Sequence, residues 1–209
     1  MTADHIVPGP GDRSHAAKLA VLGMISGALS WALIDFSDRM DLKFQFEGLG
    51  LLLLPVSIYP GLVFGLIVGA LLRLRAKATW LRAAGYVFAA GLGYACAFHV
   101  AFYIVANGFG GDEAPLAYIV GGIPAGLAGS LVLGLSTKAL LGVPGRLVLR
   151  RPVAIGTAAG ALLGLAGLDS HNGWGFLAFF VLWQGAYGAS LAPLLRQTAG
   201  ASANQINGS

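Results

Sequence analysis

The chain has 209 residues, of which 56% are hydrophobic and only 11% charged, and its mean hydropathy is +0.75. So little polar surface cannot cover a soluble globule of this length, and the composition is that of an integral membrane protein. The net charge of +4 and the isoelectric point near 9.5 read as a membrane-orientation signal rather than a nucleic-acid footprint, because the basic residues gather between apolar runs.

Residues 1–17 are polar and broken by Pro8, Gly9 and Pro10, without the form of a signal peptide, so they read as a cytoplasmic tail ahead of a retained first helix. Six continuous apolar runs follow, at 18–36, 49–72, 83–106, 116–136, 153–168 and 174–195. A bilayer core about 30 Å thick takes roughly 20 residues of helix, and continuous runs argue against a barrel, so each is read as a transmembrane helix and no strand is expected. The fold expected is an all-α bundle of six transmembrane helices forming a single domain over 18–196, with a flexible tail over 197–209. With an even number of crossings both termini share one side. Eleven of the thirteen Lys and Arg residues then lie inside and only Arg39 and Lys43 outside, which puts both termini in the cytoplasm, as for a multi-pass protein of a bacterial cytoplasmic membrane.

Small residues spaced four apart let helix backbones approach closely in lipid, where apolar contact alone gives little net attraction. The first helix carries Gly23 and Gly27 in this pattern, with Ala28 and Ala32 beside them, and Asp35 closes its outer end. The second carries Tyr59 and Pro60 near its middle and the strict run Gly61, Gly65, Gly69. On the third, Leu92, Cys96, His99, Tyr103 and Asn107 advance by three or four and share one stripe, which places His99 about 12 Å below Asn107. The fourth holds Pro124 behind Gly121 and Gly122, and "IPAGLAGSLVLG" there echoes "YPGLVFGLIVGA" of the second, as in a parallel two-helix repeat. The fifth carries Gly156, Gly160 and Gly164, and the sixth Trp183, Gln184 and Tyr187 at mid-span.

Polar groups inside membrane helices are costly and tend to mark function. Tyr59, His99, Tyr103, Gln184 and Tyr187 are therefore the candidate solute-binding residues of a polar pocket in the outer half, with Pro60 and Pro124 as kinks that free backbone carbonyls. Each has a plainer structural reading, as hydrogen-bonding glue between helices or as a simple bend. Catalysis finds no support: Ser130 has no Gly-x-Ser-Gly context or orienting carboxylate, and His99 is the lone intramembrane histidine, which leaves haem without a second ligand. Cys96 is the only cysteine, so neither a disulfide nor a thiolate zinc cluster can form. No catalytic residue, metal or cofactor is assigned.

Six helices in about 200 residues with both ends inside, and small residues spaced four apart on the first helix (Ala16 and Ala20, Ala28 and Ala32), resemble the substrate-binding components of energy-coupling-factor transporters. That resemblance implies binding of a small vitamin or metal ion in the outer half and docking of a transmembrane partner through the small-residue face. The function expected is binding or transport of a small solute. The alternative is a noncatalytic structural or assembly subunit that docks a membrane partner, or a second copy of itself, through its glycine faces. Beyond the bilayer, no nucleic acid is expected as a partner.

Overall fold

The computed structural model describes residues 10–40, 44–46, 51–53, 55–75, 78–109, 115–141, 147–168 and 173–192. Helix α1 spans Pro10–Arg39, and a short antiparallel hairpin pairs β1 (Phe44–Phe46) with β2 (Leu51–Leu53). Then follow α2 (Pro55–Arg75), α3 (Trp80–Gly108) and α4 (Pro115–Leu141). Helix α5 (Leu147–Gly160) runs through a 3₁₀ turn, Ala161–Leu163, into α6 (Gly164–Leu168), and α7 covers Trp174–Ser190. Among the described residues four segments are long and apolar enough to cross a membrane: Ser14–Arg39, Ser57–Leu74, Trp80–Gly108 and Pro115–Leu140.

Each helix packs on its neighbour in sequence, α1 on α2, α2 on α3, α3 on α4 and α4 on α5, while α7 touches both α5 and α1 and closes the ring. Glycine sets the spacing. A Cβ on Gly23 or Gly27 would run into the backbone of Gln184 or Phe180 on α7, so α1 and α7 touch main chain to main chain. Gly61, Gly65 and Gly69 abut Ala90, Val87 and Ala83 of α3 in that order, which makes α2 and α3 antiparallel. Gly156 and Gly160 lie against Ser130 and Gly122 of α4, and Gly164 against Ile119. Two glycine ladders of the sequence are thus consumed inside the chain.

The outer surface is apolar in stripes. On α4, Leu116, Val120, Ile123, Leu127, Leu131 and Leu135 are all exposed, at 40% to 63%, and recur every three to four residues. Nineteen residues separate the first from the last, about 29 Å of helix, which matches a bilayer core about 30 Å thick. Val21, Ile25, Leu29, Leu33, Phe36 and Met40 draw a stripe of similar length on α1. Faces of this kind belong against acyl chains, since monomeric soluble proteins rarely expose contiguous apolar patches of this extent. Trp80 and Trp174, exposed at 74% and 66%, stand at helix starts, as interfacial aromatics do.

Four sequence expectations change. The first helix begins at Pro10, not 18, since proline at the first helical position loses no hydrogen bond. Within the run from 49, Leu51–Leu53 are a strand paired with Phe44–Phe46, and α2 begins at Pro55. Among the described residues the fold is all-helical apart from this two-stranded hairpin, for which the local pattern of Phe44-Gln45-Phe46 and a leucine run preceded by Gly48 and Gly50 is suited. The fifth span is broken, α5 being 14 residues and separated from α6 by the 3₁₀ turn, and α7 has 17. Neither reaches the length of the four long helices. The tail over 197–209 lies outside the described residues.

Candidate functional site

Helix α2 meets only part of the length of α3. Gly61, the seventh residue of α2, meets Ala90 and Tyr94, and beyond Tyr94 helix α3 continues for fourteen residues, about 21 Å. On that side α2 has only the six residues from Pro55, about 9 Å. A cavity of about 390 Å³ occupies the gap between the last turns of α3, the first half of α4, the 3₁₀ turn and α7.

Its walls are aromatic. Tyr94, Phe98 and Phe102 line it from α3 at one-turn spacing, Phe176, Phe180 and Trp183 from α7 with Phe179 beside them, and Tyr118 from α4. The Phe98 and Phe102 rings lie nearly parallel, 11° apart with centroids at 6.3 Å, and Phe176 and Phe180 form a second stacked pair at 29° and 6.5 Å. Tyr94 closes one end, with its ring 6.0 Å from Phe180 and edge-on to Trp183 at 5.7 Å. Between the aromatic walls the lining is small: Ala97, Ala101, Ala125 and the backbone of Gly122, Gly126 and Gly160. That floor exists because α4 and α5 cross at glycine on both sides. No Asp, Glu, Lys, Arg or His lines the cavity among the described residues. Such a chamber excludes charge and favours flat apolar matter.

The five residues picked from the sequence do not meet there. Tyr103 is 68% exposed and Asn107 is exposed, donating its side-chain amide to the Tyr103 carbonyl at 2.8 Å. His99 is half-buried, and its Nδ1 donates to the carbonyl of Ala95 one turn back, at 2.7 Å. With Leu92 at 50% exposure, this stripe lies on the face of α3 away from the Gly61 and Gly93 contacts. Periodicity correctly groups such residues on one face, but it cannot say whether that face looks in or out.

Gln184 and Tyr187 point the other way and are fully buried. Gln184 Nε2 donates to Ser30 Oγ and to the Pro60 carbonyl, both at 3.3 Å, and so ties α7 to α1 and α2. Ser30 in turn donates to the Ser26 carbonyl at 2.7 Å. Tyr187 packs edge-on against Phe64, with centroids at 5.7 Å, and stacks on Trp183. Tyr59 is half-buried in the second turn of α2, next to Pro60, so neither residue is mid-helix as expected. Pro124 is half-buried within α4. Among the described residues no three His, Cys, Asp or Glu side chains gather as a metal would require.

Of the aromatic residues of the cavity the sequence singles out Trp183 at mid-span of the last helix but not the phenylalanines, because polar side chains in apolar helices draw the functional reading. Their signal is nonetheless present: 94, 98 and 102 step by four, and 176, 180 and 183 by four and three, which stacks rings along one face of each helix. No protein-family model, curated protein or solved structure matches the chain.

Proposed function

We propose that this chain is a multi-pass membrane protein, with six helical crossings and both termini cytoplasmic, that binds or transports a small solute in the aromatic cavity. The apolar stripes on α1 and α4 support the membrane setting, and the distribution of Lys and Arg supports the orientation. In that orientation the cavity lies in the outer half, at the end where α3 stops and α4 starts. The observation that carries the reading is the cavity itself: about 390 Å³ falls within the usual range for small-molecule sites, about 300–1,000 Å³, and it is lined by residues from several helices. The site is thus moved from His99 and Tyr103 to the rings of α3 and α7.

The assembly alternative counted on free glycine faces. Gly61, Gly65 and Gly69 and Gly156, Gly160 and Gly164 are covered by α3 and α4 of the same chain, so no observation favours it. The test is purification in native lipid, followed by mass spectrometry of copurifying small molecules, for the wild-type chain and for Ala106→Trp, which puts an indole at the cavity lining. A molecule retained by the wild type and lost from a variant of unchanged elution profile is the expected result. Identical small-molecule contents would remove the reading.

A further inference from the structure

We infer that the cavity takes a neutral, flat, largely apolar molecule of two or three fused rings, an inference that rests on the solute-binding reading above. Charge is excluded first. With no Asp, Glu, Lys, Arg or His in the described lining, a charged ligand would lose its hydration without gaining a counter-ion. Size comes next. An apolar cavity of about 150 Å³ holds one benzene ring, so about 390 Å³ has room for two or three such rings. Shape follows from the walls: Phe98 with Phe102 on α3, and Phe176 with Phe180 on α7, give two ladders of rings one helical turn apart in a lining that also includes Gly122, Gly126 and Gly160. Aromatic pairs favour offset-stacked or edge-on contact, which a rigid planar ligand can make with several rings at once. An acyl chain would fill the volume but could not make these ring–ring contacts.

The full-length chain in phosphatidylcholine nanodiscs is titrated with three probes: acridine, neutral and flat; N-methylacridinium, of the same shape but cationic; and dodecanol, neutral and linear. Binding is followed by tryptophan fluorescence, since Trp183 lines the cavity, with empty nanodiscs correcting for partition into lipid. Acridine is expected to saturate at one per chain and to bind at least tenfold more tightly than either other probe. Phe98→Leu and Phe176→Leu, both at half-buried positions, keep the wall apolar while removing a ring, and each should weaken acridine about tenfold without changing dodecanol. Ala106→Trp should block acridine by filling space, which keeps the test open if a leucine variant folds poorly. Dodecanol binding as tightly as acridine, indifferent to the leucine variants, would overturn the inference in favour of a lipid chain. Tightest binding of N-methylacridinium would overturn it in favour of a hydrophobic cation held on ring faces. If no probe saturates while Ala106→Trp still loses a copurifying molecule, the ligand class is wrong and the site stands; if that difference is absent too, both fall.

Discussion

Gly173 is the one described glycine with a left-handed backbone, φ 72°, and it stands immediately before α7. It turns the chain into that helix beside Trp31, whose indole occupies the space a Cβ would need. Trp31 in turn stacks on Phe176, 4° from parallel, with centroids 6.1 Å apart. Gly173→Ala therefore meets two penalties: the left-handed conformation costs an L-residue about 1–2 kcal/mol, and the indole must move. Thermal unfolding in detergent should show this loss, and acridine affinity should fall with it, because a displaced Trp31 disturbs a ring of the α7 ladder. Gln184, by contrast, shows how a buried polar residue in a membrane helix can serve packing rather than chemistry, since its two donated bonds join three helices.

Helices α4 and α5 depend on glycine at their crossing. Any Cβ on Gly156 collides with the side chain of Ser130, itself fully buried, and one on Gly126 collides with the backbone of Gly156. Gly156→Leu forces the pair apart, and overpacking of this kind costs about 1–3 kcal/mol. The expected outcome is a lower unfolding midpoint in detergent together with weaker solute binding, because the same crossing supplies the cavity floor through Gly122, Gly126 and Gly160. An unchanged midpoint would mean that α5 is free to shift. The 3₁₀ turn Ala161–Leu163 sits directly after this crossing and contributes Leu163 to the lining. After this tighter turn α6 packs on α7, whose Gly175 abuts Leu165 and Ala166.

The closed ring of helices leaves its apolar stripes pointing outward, and the setting decides what they cost. Leu127 is 41% exposed in the middle of the α4 stripe. In water, Leu127→Asp would be harmless, whereas at mid-bilayer an aspartate costs about 2.5–3.5 kcal/mol. Expression of this variant should deplete the membrane fraction relative to wild type; equal recovery would count against a lipid-facing α4.

Composition and run length determine the class of this protein and its long helices, because twenty apolar residues in succession have few places to go except a bilayer. Spacing also determined which glycines share a face and that His99, Tyr103 and Asn107 form one stripe. Only the tertiary structure decided which way each face looks: on the α3 stripe Tyr103 and Asn107 are exposed and His99 half-buried, the glycine faces lie inward, and the cavity opens among phenylalanines. The physical reason is that a helical period fixes angles around one axis and nothing about the neighbours. Those neighbours depend on pairings between separate segments of the chain, as where Phe44–Phe46 pair with Leu51–Leu53 ahead of α2. An apolar run read alone could not reveal that its first residues, Leu51–Leu53, belong to a strand.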